Sequence, residues 1–192
     1  MSTKPATEAD AKLGAALLIR ARNAIAEALD ATTTPEPDHP ALHQPGATFV
    51  TLMEDDQLRG CIGTLEPHRS LDADVRANAC AAAFHDPRFM PVRAGELRDL
   101  RVEVSLLSVP EDLPCLDEND ALRRMRPGID GIVFEYQNFR STFLPQVWES
   151  LPDPRSFLAQ LKRKAGLPAD FWAPGVKLQR YEVLKWKEAP DH

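Results

Sequence analysis

Twice along its length the chain carries the same succession: two short alternating apolar runs joined by a turn, a helix-length stretch, then a further strand. In the first half these are Ala47 to Met53, the turn Glu54-Asp55-Asp56, Gln57 to Leu65, a helix from Leu71 to about His85, and Leu100 to Val109. In the second they are Gly131 to Tyr136, the turn Gln137-Asn138, Phe139 to Leu144, helical stretches at Pro145 to Leu151 and Ser156 to Lys164, and a last strand from Val176 to Lys187. Even Leu58-Arg59 and Phe139-Arg140 open the second strands alike. Strands joined by so short a turn pair antiparallel. The pattern therefore predicts an α+β fold of two lobes, each an antiparallel sheet with flanking helices, and fits a strand-strand-helix-strand duplication at the level of architecture. A cleft between two such lobes is a natural place for a ligand.

The elements around these runs are punctuated by local chemistry. Leu13, Leu17, Ala21, Ala24 and Ala28 recur at helical spacing, widened by Leu18, Ile25 and Leu29, which predicts an amphipathic helix over Ala11 to Ala31. Residues 1–10 read as a disordered N-terminus and residues 188–192 as a tail, leaving 11–187 as the folded domain. The 17 prolines gather between elements, at Pro35, Pro37 and Pro40, at Pro87 and Pro91, and at Pro110 and Pro114. Ser70 suits an N-cap, with Asp72 and Asp74 in the first turn beyond it. The face Leu71, Val75, Ala79 and Ala82 is small enough to pack closely on a sheet.

Composition narrows the function classes. A net charge of −6 lacks the excess of Lys and Arg with which a general nucleic-acid binder displaces counterions. The basic groups Arg123, Arg124 and Arg126, and Lys162, Arg163 and Lys164, read as solvated helix faces. Trp148, Trp172 and Trp186 read as core anchors. Three widely spaced cysteines, Cys61, Cys80 and Cys115, form no C-x-x-C pair and favour reduced thiols in a cytoplasmic protein. The opening residues do not resemble a signal peptide, and the longest apolar stretch, near Ala79 to Phe84, is too short to span a bilayer. His39 and His43 have metal-ligand spacing only on a helix, and the prolines around them argue against one, so no metal site is expected.

Chemistry concentrates in Leu58-Arg59-Gly60-Cys61-Ile62-Gly63. As a strand, this hexapeptide puts Leu58 and Ile62 on one face and Arg59 with Cys61 on the other. Gly60 and Gly63 leave room for backbone or a ligand to come close. A permanent cation beside a thiol makes Cys61 a candidate nucleophile and Arg59 a clamp for a small anionic ligand. The same residues also read as a half-buried strand with an interior cysteine and a paired arginine. His68 and His85 are the nearest candidate bases. Asp86 and Arg88 flank Pro87, either fixing a loop by an ion pair or bringing Arg88 to Arg59 for a carboxylate or phosphate. Glu103, on the polar face of its strand, is a candidate acid/base group or their structural partner.

These segments carry a family resemblance. Leu58-Arg59-Gly60-Cys61-Ile62-Gly63-Thr64 and Ala82-Ala83-Phe84-His85-Asp86-Pro87-Arg88-Phe89 resemble the AMMECR protein family, whose bacterial and archaeal members are called AmmeMemoRadiSam system protein A. Val102-Glu103-Val104-Ser105, Asp130-Gly131-Ile132 and Thr142-Phe143-Leu144-Pro145-Gln146-Val147-Trp148 continue it, as do Phe157-Leu158 and Lys164-Ala165-Gly166-Leu167. The resemblance covers roughly residues 11 to 187. It implies an α+β fold of two unequal lobes with the hexapeptide lining the region between them. It also implies association with a Memo-like protein and a radical-SAM enzyme. Arg59, Gly60, Cys61 and Gly63 carry over as signature positions, and Asp86, Arg88 and Glu103 as matching positions without assigned roles. The family brings neither a settled reaction nor a cofactor, so whether the chain is an enzyme stays open at this point.

Overall fold

Thr7 starts the first helix. Its hydroxyl accepts from the Asp10 amide while the Asp10 carboxylate accepts from the Thr7 N–H, a capping box that satisfies two otherwise unpaired amides. Helix α1 accordingly spans Glu8–Ala28, beginning and ending three residues before the expected bounds. The computed structural model describes residues 7–189. Of the segment expected to be disordered, residues 1–6 lie outside that range and Glu8, Ala9 and Asp10 are helical. Leu13, Leu17, Ala21, Ala24 and Ile25 are buried, as their spacing predicts.

Strands β1 (Ala47–Glu54) and β2 (Gln57–Gly63) form the first hairpin. Its two turn residues, Asp55 and Asp56, both have positive φ, 48° and 59°. That is the turn geometry whose twist matches the flanking strands, and aspartate tolerates it better than most residues. Helix α2 (Leu71–Phe84) starts at Ser70, whose side chain accepts from the Ala73 amide, and buries Leu71, Val75, Ala79 and Ala82. Strand β3 (Leu100–Leu107) follows. Next come β4 (Glu111–Asp112), α3 (Glu118–Arg124), β5 (Gly131–Tyr136), β6 (Phe139–Phe143), α4 (Pro154–Ala165), β7 (Lys177–Tyr181) and β8 (Val183–Lys187). Pro145–Glu149 is a 3-10 turn rather than the longer helical stretch expected over Pro145 to Leu151.

The described chain divides into two compact units, one of residues 7–107 with 184–189, the other of residues 108–183. Each has its own sheet of four strands, in the orders β2-β1-β3-β8 and β4-β7-β5-β6. The shared plan is visible in the pairing. In both sheets the first strand of the hairpin is central, its hairpin partner lies on one side, and the strand after the helix pairs antiparallel on the other. The α+β architecture and the repeated succession are thus as expected. Each unit also has its own core. In the first, Val50, Leu52, Val102 and Val104 meet α1 and α2. In the second, Ile132, Phe134 and Leu178 meet Phe157, Leu158 and Leu161 of α4, with Trp148 stacked on Phe157 at 3.8 Å between ring centroids.

One expected element is two. The last strand breaks at Glu182, and its halves join different sheets, β7 the second and β8 the first. At the break Glu182 exchanges hydrogen bonds with Ser108, which lies between β3 and β4. The Ser108 amide donates to the Glu182 carbonyl and the Glu182 amide to the Ser108 hydroxyl, both at 2.9 Å.

Candidate functional site

The register of the first hairpin decides what the hexapeptide presents. A two-residue turn alone would set Cys61 opposite Val50, on the core face. Instead Leu52 pairs with Gly60 and Met53 with Leu58, so Arg59 is an extra residue in β2, a β-bulge. Beyond it Val50 pairs with Ile62 and Thr51 with Cys61. Gly60 and Ile62 therefore face the core, and Cys61 lies on the opposite face, its sulfur 3.2 Å from the Thr51 hydroxyl. The bulge also moves Leu58 onto the Cys61 face, since paired residues share a face. The expected pairing of Leu58 with Ile62, and of Arg59 with Cys61, holds only for a strand without this extra residue.

Arg59 goes elsewhere. Its guanidinium meets the Glu96 carboxylate at 3.0 Å through Nε and through Nη2, in the 3-10 turn Ala94–Glu96 that follows α2. Hydrogen bonding from the Arg93 amide, opposed by burial and aided by Arg59, holds the Glu96 carboxyl below its usual range. Arg59 Nη1 is buried and finds no hydrogen-bond partner among the described residues. The two glycines are filled rather than open. A Cβ on Gly60 would lie 2.2 Å from the Ala82 carbonyl oxygen, and one on Gly63 2.2 Å from the Phe49 ring.

The cation that does reach Cys61 is Arg88. Strand β2 is an edge strand, and the backbone of Cys61 points outward from it. Its amide donates to Asp86 Oδ2 at 3.0 Å, and its carbonyl accepts from Arg88 Nη2 at 3.3 Å. Asp86 and Arg88 are joined by two further charge-assisted bonds, 2.7 and 3.0 Å, with the Asp86 carboxylate buried and Arg88 half exposed. Asp-Pro-Arg thus closes the edge with side chains where another strand would otherwise pair. The Arg88 guanidinium holds the Asp86 carboxyl far below the usual carboxylate range; burial opposes this, and the amides of Cys61 and Arg88 assist. Its stabilising contribution is therefore complete above the unfolded-state value, about pH 4, and is lost as the pH falls further. Asp86→Asn is expected to cost about 2 kcal/mol at neutral pH. In paired acid-unfolding curves the gap between variant and parent should narrow below about pH 4. A gap that stays constant down to pH 3 would refute this account of the clamp.

A family model described as AMMECR1 matches residues 18–186. The chain belongs to the AMMECR1 family. It is 41% identical over 148 residues to Protein MJ0810 of Methanocaldococcus jannaschii, covering 73% of this chain and 72% of that one. With Protein SSO0193 of Saccharolobus solfataricus it shares 35% over 190 residues, 94% and 84% of the two chains. Among solved structures, that of the uncharacterized protein PH0010 from Pyrococcus horikoshii superposes with a TM-score of 0.75 at 34% identity, covering 91% of each chain.

In this AMMECR1-family chain the hexapeptide face continues across the sheet. Thr51 pairs with Cys61 on one side and with Glu103 on the other, so the three side chains form one row. Glu103 is only 4% exposed, and its close partners are lysines rather than Arg59 or Arg88. Lys185 reaches it at 2.6 Å and Lys187 at 3.2 Å, both from the neighbouring β8. Burial acts to raise the Glu103 carboxyl, but the two ammonium groups outweigh it and hold it ionised below the usual range. The alternation of Lys185 and Lys187 about Trp186 in the sequence was the signal for these partners, and residue-type reasoning missed it.

Sequence reasoning also missed Asp74, Thr48, Thr64 and Asn78. The fully buried Asp74 carboxylate accepts from the Thr48 amide and hydroxyl, the Thr64 hydroxyl, Arg69 Nε and Asn78 Nδ2, tying α2 to both strands at the open end of the hairpin. The histidines lie apart from the thiol. His68 contacts the Glu66 carbonyl, His85 forms the exposed C-cap of α2, and no histidine hydrogen-bonds Cys61 among the described residues. His39 caps the 3-10 turn Pro40–His43 and His43 meets Asp38 at 3.1 Å. Among the described residues no three acidic, histidine or cysteine groups converge as a metal site, and no helix is long and apolar enough to cross a membrane.

Proposed function

We propose that the chain is a cytoplasmic component of a radical-SAM-linked pathway whose ligand or catalytic site centres on Cys61. The carrying observation is that this one cysteine is held at three points and still reaches the surface. Asp86 fixes its amide, Arg88 its carbonyl and Thr51 its sulfur, while the residue is only half-buried. Cys61 is the nucleophile or thiol ligand in this reading, and Arg88 the adjoining cation. Glu103 sets the charge of the same face rather than moving a proton, because two lysines hold it ionised. Gly60 and Gly63 shape the strand, and Arg59, paired with Glu96, fixes the bulge beside Cys61 rather than meeting the ligand. The pathway and its Memo-like and radical-SAM partners rest on the family resemblance.

The other two cysteines supply the comparison. Burial pushes the thiols of Cys80 and Cys115 upward, which makes both poor nucleophiles at neutral pH. Peptide mapping after a timed pulse of iodoacetamide should find Cys61 alkylated several times faster than either. Labelling of Cys61 no faster than Cys115 would sink the reactive-thiol reading. The second reading, a non-catalytic module docking onto a protein partner, is favoured by the exposed apolar side chains of Leu58, Leu65 and Met90 around the clamped edge. Under it Cys61→Ser keeps capture of a radical-SAM partner in a pull-down and Arg88→Ala loses it. The opposite pattern excludes it.

A further inference from the structure

Resting on Cys61 as the centre of the site, we infer that Lys185 and Lys187 recognise the anionic group of its ligand. The cations on this face come from a neighbouring strand rather than from the strand that carries the thiol. Cys61, Thr51 and Glu103 succeed one another on three adjacent strands of one sheet face, and the two lysines approach Glu103 from the fourth. One carboxylate between two ammonium groups leaves a surplus of one positive charge. Arg101 lies 3.9 Å from Glu103 but is paired with Asp56 at 2.9 Å, and Arg88 is paired with Asp86, so neither adds to that surplus. Both lysines keep about half of their side-chain surface exposed, 42% and 56%, while the carboxylate beneath them is covered. The uncommitted N–H donors of each ammonium are therefore available to a ligand oxygen.

Strand spacing sets the size of what fits. Glu103 is two strands from Cys61, which places the lysine ends roughly 10 Å from the thiol. The ligand class is a molecule with a carboxylate or phosphate at about that distance from the part that meets sulfur. Glu103 has a defined task in this arrangement: it gathers the two lysines and limits their charge, and its removal should strengthen rather than abolish anion attraction.

The test compares alkylation of Cys61 by anionic iodoacetate and neutral iodoacetamide at low ionic strength, in the parent, in Glu103→Gln, and in the triple variant Glu103→Gln/Lys185→Gln/Lys187→Gln. In both reactions the thiolate forms a carbon–sulfur bond and iodide leaves with the bonding electrons, so the ratio of rates reports the local field. The surplus rises from one charge to two in the single variant and falls to zero in the triple. The iodoacetate-to-iodoacetamide ratio at Cys61 is expected to rise about twofold and to fall about twofold respectively, the effect of one charge at this distance in a partly aqueous path. The ratio at Cys115 should not move. Inorganic phosphate replacing chloride at constant ionic strength should slow iodoacetate at Cys61 in the parent, more so in Glu103→Gln, and not in the triple variant. Ratios at Cys61 that stay equal across the proteins, or that shift equally at Cys115, overturn the inference. Should the triple variant fail to fold, the phosphate arm in Glu103→Gln decides, because loss of the carboxylate alone raises the ratio, whereas phosphate lowers it again at constant ionic strength only if the lysines hold the anion. The iodoacetamide rate by itself tests the reactive thiol, so failure of that reading is distinguishable from failure of this one.

Discussion

Asp74→Ala should destabilise the first unit by about 3–5 kcal/mol, the cost of removing one partner from a buried, charge-paired network. The carboxylate is fully buried and accepts from five donors on four residues. Alanine leaves the Thr48 amide, itself on a fully buried residue, without an acceptor, and strands the Arg69 guanidinium beside it. Asn78 cannot compensate, because its Nδ2 is a donor and its one acceptor, Oδ1, already faces the Thr64 hydroxyl at 3.4 Å. Asp74→Asn keeps the shape and one acceptor oxygen, so it should lose less than alanine. Urea unfolding of the three proteins gives the comparison. A loss below about 1 kcal/mol for alanine would mean that water takes over these bonds and that the network does not hold α2 on the hairpin.

That network illustrates why parts of the fold were legible and others were not. The hairpins, α2 and its buried stripe follow from local signals: alternation, a Ser cap, and turn residues that tolerate positive φ. The start of α1 moved because Thr7 and Asp10 form a reciprocal cap that outweighs the apolar spacing beginning near Leu13. The break at Glu182 has no glycine or proline to announce it. Its cause is non-local, the bonds with Ser108 and the pairing of the two flanking strands in separate sheets. Asp74 looked like a helix-dipole carboxylate, and nothing in its neighbours told that the chain folds three threonine and asparagine side chains around it.

For the candidate site, the strand was legible and the facing of its side chains was not. The residue types of the hexapeptide marked the strand, but its parity depends on one inserted residue, and a single bulge exchanges the faces of everything beyond it. That is why Cys61 meets Thr51 and not Arg59. The loop of Asp86 and Arg88 was readable as an ion pair. Its target was not, because the target is the Cys61 backbone, which has no residue-type signature. Glu103 shows the converse. Alternation placed it on the correct face, but its burial comes from β8, some eighty residues away in the chain.

Gly60→Ala should be the most damaging of the glycine substitutions in this unit. The added methyl would stand 2.2 Å from the Ala82 carbonyl oxygen, a backbone atom in the last turn of α2, so the helix and strand must separate for it to fit. Overpacking of this kind costs about 1–3 kcal/mol, and more where backbone has to move. Gly63→Ala meets the Phe49 ring instead, a side chain that can rotate away, and should cost less. Gly95→Ala meets nothing within 4 Å and should be close to neutral, which makes it the control. The damage should also reach the thiol. The end of α2 leads directly to Asp86, so moving it off β2 lengthens the bond from Asp86 to the Cys61 amide. Unfolding midpoints should fall in the order Gly60, Gly63, Gly95. Hydrogen exchange at the Cys61 amide should speed up in Gly60→Ala and stay at the parent rate in Gly95→Ala. Equal midpoints for all three would mean that α2 sits looser on the strand than a carbonyl contact allows. Unchanged exchange in a destabilised Gly60→Ala would detach the close packing from the clamp and leave Asp86 to hold Cys61 by itself.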